Sequence, residues 1–326
     1  MGEGWEGVVI RGMCTWVEGM NILARVIIRR YQVARGINHR RTTRGIFPHP
    51  MESNGMTMPR PPVPNSLRWN RTSYFLLSMF LAVIALIIVV WWPLAEDYLG
   101  QVNPDYPFWM QVDWLLIGIF LVMSILIMCG ADLRTDAWIV FVATLGGLTI
   151  EAWGTQTLLW TYYTSERPPL WIVPAWPIAT LAIDRICRVL ATLARRVPEI
   201  WATRLFWAVL GGFYLLMLFY TRGTFDKPFT LAALLLCALI IISPGSRRSA
   251  LVLFIAGASL GYFLELWGTT RECWTYYTRE TPPLFAVLAH GMAATAFWRA
   301  GVLLPVFFRK LRTIRFPGSL RAQSEM

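Results

Sequence analysis

The sequence predicts an all-α, polytopic transmembrane bundle of about eight spans, arranged as two parallel four-helix repeats. Three observations predict this fold class. The 326-residue chain is 56% hydrophobic but only 15% charged, whereas soluble domains carry about a quarter of charged residues. Eight apolar runs approach the roughly 20 residues that a helix needs to cross a bilayer. A 20-residue motif also occurs twice, at an offset of 114 residues.

The positions of the apolar runs divide the chain into four segments. Residues 1–71 form a basic tail, expected to be disordered or to belong to an over-long gene model, and residues 309–326 form a second basic tail. Residues 72–196 and 197–308 each contain four runs. The predicted spans lie near residues 73–94, 112–130, 137–154, 169–190, 205–221, 228–244, 249–268 and 283–307.

The basic residues between the runs predict the orientation. The segments after the fourth, sixth and eighth runs are rich in Arg and Lys, whereas the segment after the first run is acidic. Because Lys and Arg collect in short cytoplasmic loops, we expect both termini to be cytoplasmic, in a bacterial inner membrane. The net charge of +11 is then explained by topology and by contact with membrane lipids, and no nucleic-acid partner is expected.

The repeated motif is the most specific signal in the chain. It reads EAWGTQTLLWTYYTSERPPL at residues 151–170 and ELWGTTRECWTYYTRETPPL at residues 265–284, with 13 of 20 positions identical. The same offset pairs Gly147 with Gly261, so the duplication extends beyond the motif. Each copy contains an even number of predicted spans. The copies should therefore be parallel, with a site between them.

The acidic residue that begins each copy is the candidate for catalysis. If the repeat brings Glu151 and Glu265 to one cavity, desolvation and mutual repulsion would keep a proton on one of them, and the pair could act as acid and base. His290 stands where the first copy has Trp176, and it is a candidate proton relay beside Glu265. The alternative is structural, with each carboxylate fixing helix packing through hydrogen bonds and His290 remaining neutral.

Small and aromatic residues around the glutamates are predicted to bind an apolar ligand. The glycines share a helix face with the glutamates and leave room beside them, and the aromatic rings are suited to stabilising a developing cation. An interfacial aromatic belt is the alternative interpretation of the rings. The predicted ligand-binding residues are Gly154, Trp160, Tyr162, Tyr163, Gly268, Trp274, Tyr276 and Tyr277.

The sequence predicts neither a metal site nor a bound cofactor. The five cysteines are scattered without C-x-x-C spacing, and the chain has only three histidines. This composition argues against a zinc site, a disulfide framework and a histidine-rich metal centre. Rossmann, P-loop and Ser-x-x-Lys motifs are absent as well.

One stretch of the first copy carries a family resemblance. Its order is Glu151, Gly154, Trp160, Tyr162, Pro174 and Trp176. This order resembles the membrane carotenoid-biosynthesis proteins of the carotenoid hydratase type over about 27 residues, and less of it is present in the second copy. The resemblance implies a cofactor-free enzyme that protonates an isoprenoid double bond and directs water or an internal alkene onto the carbocation. The two glutamates would be the proton donors and the aromatic residues would stabilise the cation.

A membrane transporter and a structural or assembly subunit of a membrane complex are the alternatives to an enzyme. Parallel repeats with acidic groups near a common axis are also typical of proton-coupled carriers, which hold these groups near the middle of the bilayer. Glu265 follows Arg248 by 17 residues, or about 25 Å of helix, which predicts a position close to one membrane surface. Depth therefore favours an enzyme acting on an isoprenoid or other lipid substrate.

Overall fold

The computed structural model describes residues 69–243 and 245–315, with side chains to residue 307 in the last helix. Most of the predicted N-terminal tail, and the last residues of the C-terminal one, lie outside the described residues. Within them, 76% of the residues are helical. The helices are α1 (Arg71–Val90), α2 (Trp92–Gly100), α3 (Phe108–Gln111), α4 (Trp114–Met128), α5 (Leu133–Gln156), α6 (Ala175–Ala194), α7 (Glu199–Thr221), α8 (Pro228–Ile242), α9 (Arg247–Thr270) and α10 (Leu284–Arg315). The other elements are the strands β1 (Trp160–Tyr162) and β2 (Trp274–Tyr276), and a 3₁₀ turn at Arg222–Thr224.

Five of the described helices are long and apolar enough to cross a membrane: α1, α5, α7, α9 and α10. The chain is therefore a membrane-embedded helical protein, as predicted. A helix also lies at each of the other three predicted spans, but α4 and α8 have only 15 residues each. Helix α6 contains Asp184, Arg185 and Arg188. The predicted count of eight spans is not confirmed by length and composition.

Prolines explain where two helices differ from their predicted bounds. The first helix ends at Val90, and α2 begins at once with Pro93 in its first turn, a position where the missing proline N–H costs nothing. The fourth predicted span begins at residue 169, but α6 begins at Ala175 because Pro168, Pro169 and Pro174 precede it. Prolines disfavour helical backbone in the residue before them.

The helices that carry the two glutamates begin alike. Asp132 caps α5 by accepting a hydrogen bond from the backbone N–H of Thr135 at 2.9 Å, and Ser246 caps α9 by accepting one from Ser249 at 3.3 Å. The two caps are 114 residues apart, and each helix has 24 residues. The sequence repeat therefore extends to the first residue of these helices.

Helix α9 lies at the centre of the described bundle and packs against α10, α6, α7 and α4. Helix α5 packs against α6 and α10. The core contains fully buried aromatic residues such as Phe206 and Phe254, whereas large apolar residues of α1 such as Leu81 and Val89 are exposed. Exposed apolar side chains on a spanning helix are expected because they face lipid rather than water.

Candidate active site

The two copies of the motif meet through their strands. β1 and β2 form an antiparallel pair in which Trp160 is opposite Tyr276 and Tyr162 is opposite Trp274. Successive side chains of a strand point to opposite faces, and the threonines between the rings are exposed. The Trp-Thr-Tyr order therefore directs all four rings to one face of the strand pair.

Equivalent residues also make equivalent backbone contacts around the strands. The N–H of Tyr163 donates to the carbonyl oxygen of Cys273 at 3.3 Å, and the N–H of Tyr277 donates to that of Leu159 at 3.1 Å. Four non-glycine residues with positive φ occur in two pairs at the same offset. These pairs are Leu158 with Glu272, and Ser165 with Arg279. The local backbone thus repeats as closely as the sequence does.

Three side chains hold the carboxylate of Glu151, which is only 2% exposed. Oε1 accepts hydrogen bonds from the hydroxyl of Tyr162 and from Nε1 of Trp176, both at 3.0 Å. Oε2 accepts one from Nε1 of Trp160 at 3.1 Å. Two of the three donors come from the motif itself and the third comes from α6.

Glu265, which is 4% exposed, has the same arrangement. Its Oε1 lies 3.0 Å from the hydroxyl of Tyr276 and 2.9 Å from Nε2 of His290, and its Oε2 accepts a hydrogen bond from Nε1 of Trp274 at 2.9 Å. Each of these residues is 114 positions after its counterpart around Glu151. The structure therefore brings both predicted glutamates and His290 into two equivalent hydrogen-bond shells.

Glycines make the close approach of the rings possible. A Cβ atom on Gly154 would lie 1.8 Å from the indole of Trp160, and one on Gly268 would lie 2.0 Å from that of Trp274. The room that the sequence predicts beside each glutamate is thus filled by the chain's own rings. In the same way, Gly147 faces the indole of Trp176. These glycines lie on the faces of α5 and α9 that carry the carboxylates.

The two shells touch through the only position at which their donors differ. Trp176 and His290 stack, with ring centroids 5.6 Å apart and planes inclined by 19°. An indole N–H can only donate, whereas an imidazole nitrogen can donate or accept. Both shells contain a tyrosine hydroxyl, so His290 is the side chain by which the shell of Glu265 can take up the proton of the carboxyl group and the shell of Glu151 cannot.

The hydrogen bonds leave the same oxygen incompletely bonded in both carboxylates. A carboxylate has about four lone-pair positions, two on each oxygen. In each shell Oε1 has two partners and Oε2 has one. When the carboxyl group is protonated on Oε2, its O–H is free to point to a ligand. The two side chains are thus held in one orientation while one hydrogen-bond position stays open.

Glu151 and Glu265 line one cavity of about 1800 Å³ within the described bundle. Most of its lining is apolar and comes from α1, α4, α5, α7, α8 and α10. The cavity also exposes rings of both shells, including Trp160 and Trp274. Trp91 lies on its wall, and the Nε1–H of this residue is buried without a hydrogen-bond partner in the described part of the chain. Such a volume suits a long apolar molecule with few polar groups.

Two of the predicted ligand-binding residues point away from the carboxylates. The hydroxyl of Tyr163 donates to the backbone carbonyl of Val90, and that of Tyr277 donates to the carbonyl of Tyr220. These tyrosines tie the strands to the ends of α1 and α7. Trp176 contacts a glutamate but is not among the ligand-binding residues predicted from the sequence. The repeat offset of 114 residues, which pairs it with His290, could have identified it.

The residues around the site give little support to thiolate chemistry or to a metal site. Burial raises the pKa of the Cys273 thiol to about 12, so this cysteine is not a thiolate nucleophile at neutral pH. Among the residues that the structure describes, no group of three or more metal-ligating side chains occurs.

Comparison of the chain with known protein families, with curated proteins and with solved structures gives no match. The two carboxylate shells and the cavity are therefore the basis for assigning a function.

Proposed function

We propose that this protein is a membrane enzyme that needs no cofactor and protonates a carbon–carbon double bond of an isoprenoid or related lipid, leading to hydration or cyclisation. One observation carries the proposal. Both buried glutamates line a single, mostly apolar cavity, and both retain one open hydrogen-bond position on Oε2. A fixed carboxylic acid that faces an apolar ligand is the arrangement that general-acid catalysis on an alkene requires.

The reaction begins with a carboxyl group protonated on Oε2. Its proton forms a C–H bond with one alkene carbon, using the π electron pair, and the other carbon becomes a carbocation. Indole rings such as Trp160 and Trp274 supply the π faces that stabilise positive charge. In hydration, water attacks the cation and gives a proton back to the carboxylate. In cyclisation, a second alkene attacks, and an adjacent C–H bond returns the proton.

The two glutamates have different roles in this scheme. The Glu265–His290 pair can exchange a proton internally, and His290 can pass it onward. The shell of Glu151 consists of two indoles and a phenol and contains no comparable relay. We therefore assign Glu265, which His290 can reprotonate, as the proton donor, and Glu151 as the base for the water or for the departing proton.

The proposal includes a topology. All eight long helices span the bilayer as two parallel repeats, α1 and α4–α6 followed by α7–α10, with both termini in the cytoplasm of a bacterial cell. The antiparallel pairing of equivalent strands supports this arrangement, because a two-fold rotation relates the two strands. Such an axis along the membrane normal is typical of parallel repeats. The Arg-rich segments after α6 and α8 support the orientation.

A proton-coupled transporter is the second candidate, and the Glu265–His290 contact of 2.9 Å favours it. Carboxylate–imidazole pairs are typical of proton relays inside membranes. In a transporter the lipid or other cargo would leave the cavity unchanged. The two candidates therefore differ in whether a new product forms.

The test is to express the full chain in hosts that produce isoprenoids and to analyse the extracted lipids by mass spectrometry. We expect the wild type to yield a more polar or cyclised product. Glu265→Gln and Glu151→Gln should lower its yield by about 10²-fold or more, because Gln keeps the shape but is not an acid. Glu280→Gln, which changes an exposed glutamate of the second motif, is the matched control and should leave the yield unchanged.

Each outcome of this experiment decides between the candidates. An unchanged lipid profile in every host, with the wild-type protein folded in the membrane, would refute the enzyme and favour the transporter or a structural subunit. Full activity in both Gln variants would refute the role of the carboxylates even if a product forms.

A further inference from the structure

A second difference between the two copies lies at the opposite end of the cavity from the strands. In the first copy Arg185 is buried and paired with the carboxylate of Asp136 at 2.7 Å, and that carboxylate is only 1% exposed. The equivalent arginine of the second copy is Arg299, but the residue equivalent to Asp136 is Ala250. Ala250 is fully buried. The second copy thus has the cation but not its acidic partner.

The surroundings of Arg299 contain no substitute for the missing carboxylate. Its Nε is buried without a hydrogen-bond partner, and no ion pair to it occurs in the described ranges 69–243 and 245–315. Its guanidinium lies against the backbone of Gly245. Glu199 lines the same surface pocket as Arg299, but it pairs with Arg248 at 2.6 Å. Arg299 is half-buried, and it lines a surface pocket beside Gly245 and Arg247, so its guanidinium can reach the membrane interface, where an anionic head group would pair with it.

Arg299 also lines the cavity that contains Glu265 and His290. It follows His290 by nine residues on α10, so the two lie about 14 Å apart along the helix axis. Between them, α10 presents Ala293, Ala296 and Phe297 to the cavity. The cavity therefore has a cation at one end, apolar walls in the middle and the carboxyl groups at the other end.

We propose that Arg299 binds the anionic head group of a lipid whose unsaturated chain extends through the cavity to Glu265. The ligand class is a phosphate, diphosphate or carboxylate joined to a prenyl or similar chain, with a double bond about 14 Å from the head group. Guanidinium groups bind planar or tetrahedral oxyanions through two parallel hydrogen bonds. The inference rests on the proposed function, because it names the substrate class of the same site.

The test measures binding without turnover. The full-length Glu265→Gln protein is reconstituted in nanodiscs of zwitterionic lipid and titrated with a prenyl phosphate and with the prenyl alcohol of the same chain length. We expect the phosphate to bind about tenfold more tightly or better, as a charge-assisted hydrogen bond contributes. Adding Arg299→Gln should bring the ratio close to one.

Two further variants separate an effect on binding from an effect on folding. Ala250→Asp restores the acidic partner that the first copy has, so it should fold, neutralise Arg299 and remove the preference for the phosphate. Arg204→Gln removes an exposed arginine on α7 and should leave the preference intact. A preference for the phosphate that survives both Arg299→Gln and Ala250→Asp would overturn the proposal.

A second titration identifies the source of the anion. If anionic phospholipid in the nanodisc competes with the prenyl phosphate, the head group of a bilayer lipid is a ligand of Arg299; if it does not, the site is selective for the single-chain lipid. Binding that depends on Arg299 in a protein that forms no product would refute the proposed function and leave this inference standing.

Discussion

The two copies of the motif hold their carboxylates identically but differ in the groups beyond. Around each glutamate, a tryptophan and a tyrosine of the paired strands donate to equivalent oxygens. The third donor is Trp176 in one copy and His290 in the other. The repeat thus holds both carboxyl groups in the same geometry. The difference between Trp176 and His290 changes where the proton of the carboxyl group can go. The shared residues position the two carboxylates, and the residues that differ give them different chemistry.

The arginines show the same division. Arg185 serves the fold, because it neutralises Asp136 and also donates from Nε to the carbonyl oxygen of Cys129 at 3.2 Å. Arg299 has no such role among the described residues, because the position equivalent to Asp136 is Ala250. The second arginine is therefore available to a ligand.

Replacing the two arginines should have very different consequences for stability. Arg185→Leu leaves the carboxylate of Asp136 buried without its partner, which costs about 3–5 kcal/mol. Arg299→Leu breaks no ion pair among the described residues, and it should change stability by less than about 1 kcal/mol. Thermal unfolding in detergent micelles measures both. Equal losses in the two variants would show that Arg299 has a structural partner after all.

Exchanging the third donors tests the chemical difference between the shells. His290→Trp gives the second shell the residue that the first has, next to Gly261, the counterpart of Gly147. If His290 relays protons, the yield of product should fall by about 10²-fold. Trp176→His is the reciprocal control and should not restore activity in the His290→Trp background. A fully active His290→Trp enzyme would contradict the relay.

The close packing of rings on glycines should be equally important in both copies. A methyl group on Gly154 or Gly268 would overlap an indole ring at about 2 Å, and overpacking of this kind costs about 1–3 kcal/mol. Matched controls are Gly211→Ala and Gly212→Ala in α7, where nothing lies within 4 Å of the new methyl group. These should stabilise the helix by about 0.5–1 kcal/mol. A cost confined to one copy would show that the shells are not equivalent.

The sequence predicts the helical membrane class, the duplication and the two glutamates, because apolar runs and a 13-in-20 repeat are visible without a structure. It does not predict which rings reach the carboxylates. That choice depends on strand alternation, which directs Tyr162 inward, and on the turn before α6, which returns Trp176 to Glu151. The sequence also does not predict that Arg299 is unpaired among the described residues, because ion pairing depends on which helices are neighbours.

The smallest expected effect concerns the second tyrosine of each motif. Tyr163→Phe and Tyr277→Phe each remove one hydrogen bond to a helix-terminal carbonyl, so each should lower stability by about 1 kcal/mol. Neither hydroxyl reaches a glutamate, and the yield of product should therefore stay unchanged. Tyr162→Phe and Tyr276→Phe are the matched variants one position earlier, and they should reduce the yield because they remove a donor to Oε1. An equal effect of all four variants on product and on thermal unfolding would contradict this distinction. That result would show that the tyrosines only attach the strands to the helices, and that Tyr162 and Tyr276 do not position the glutamates.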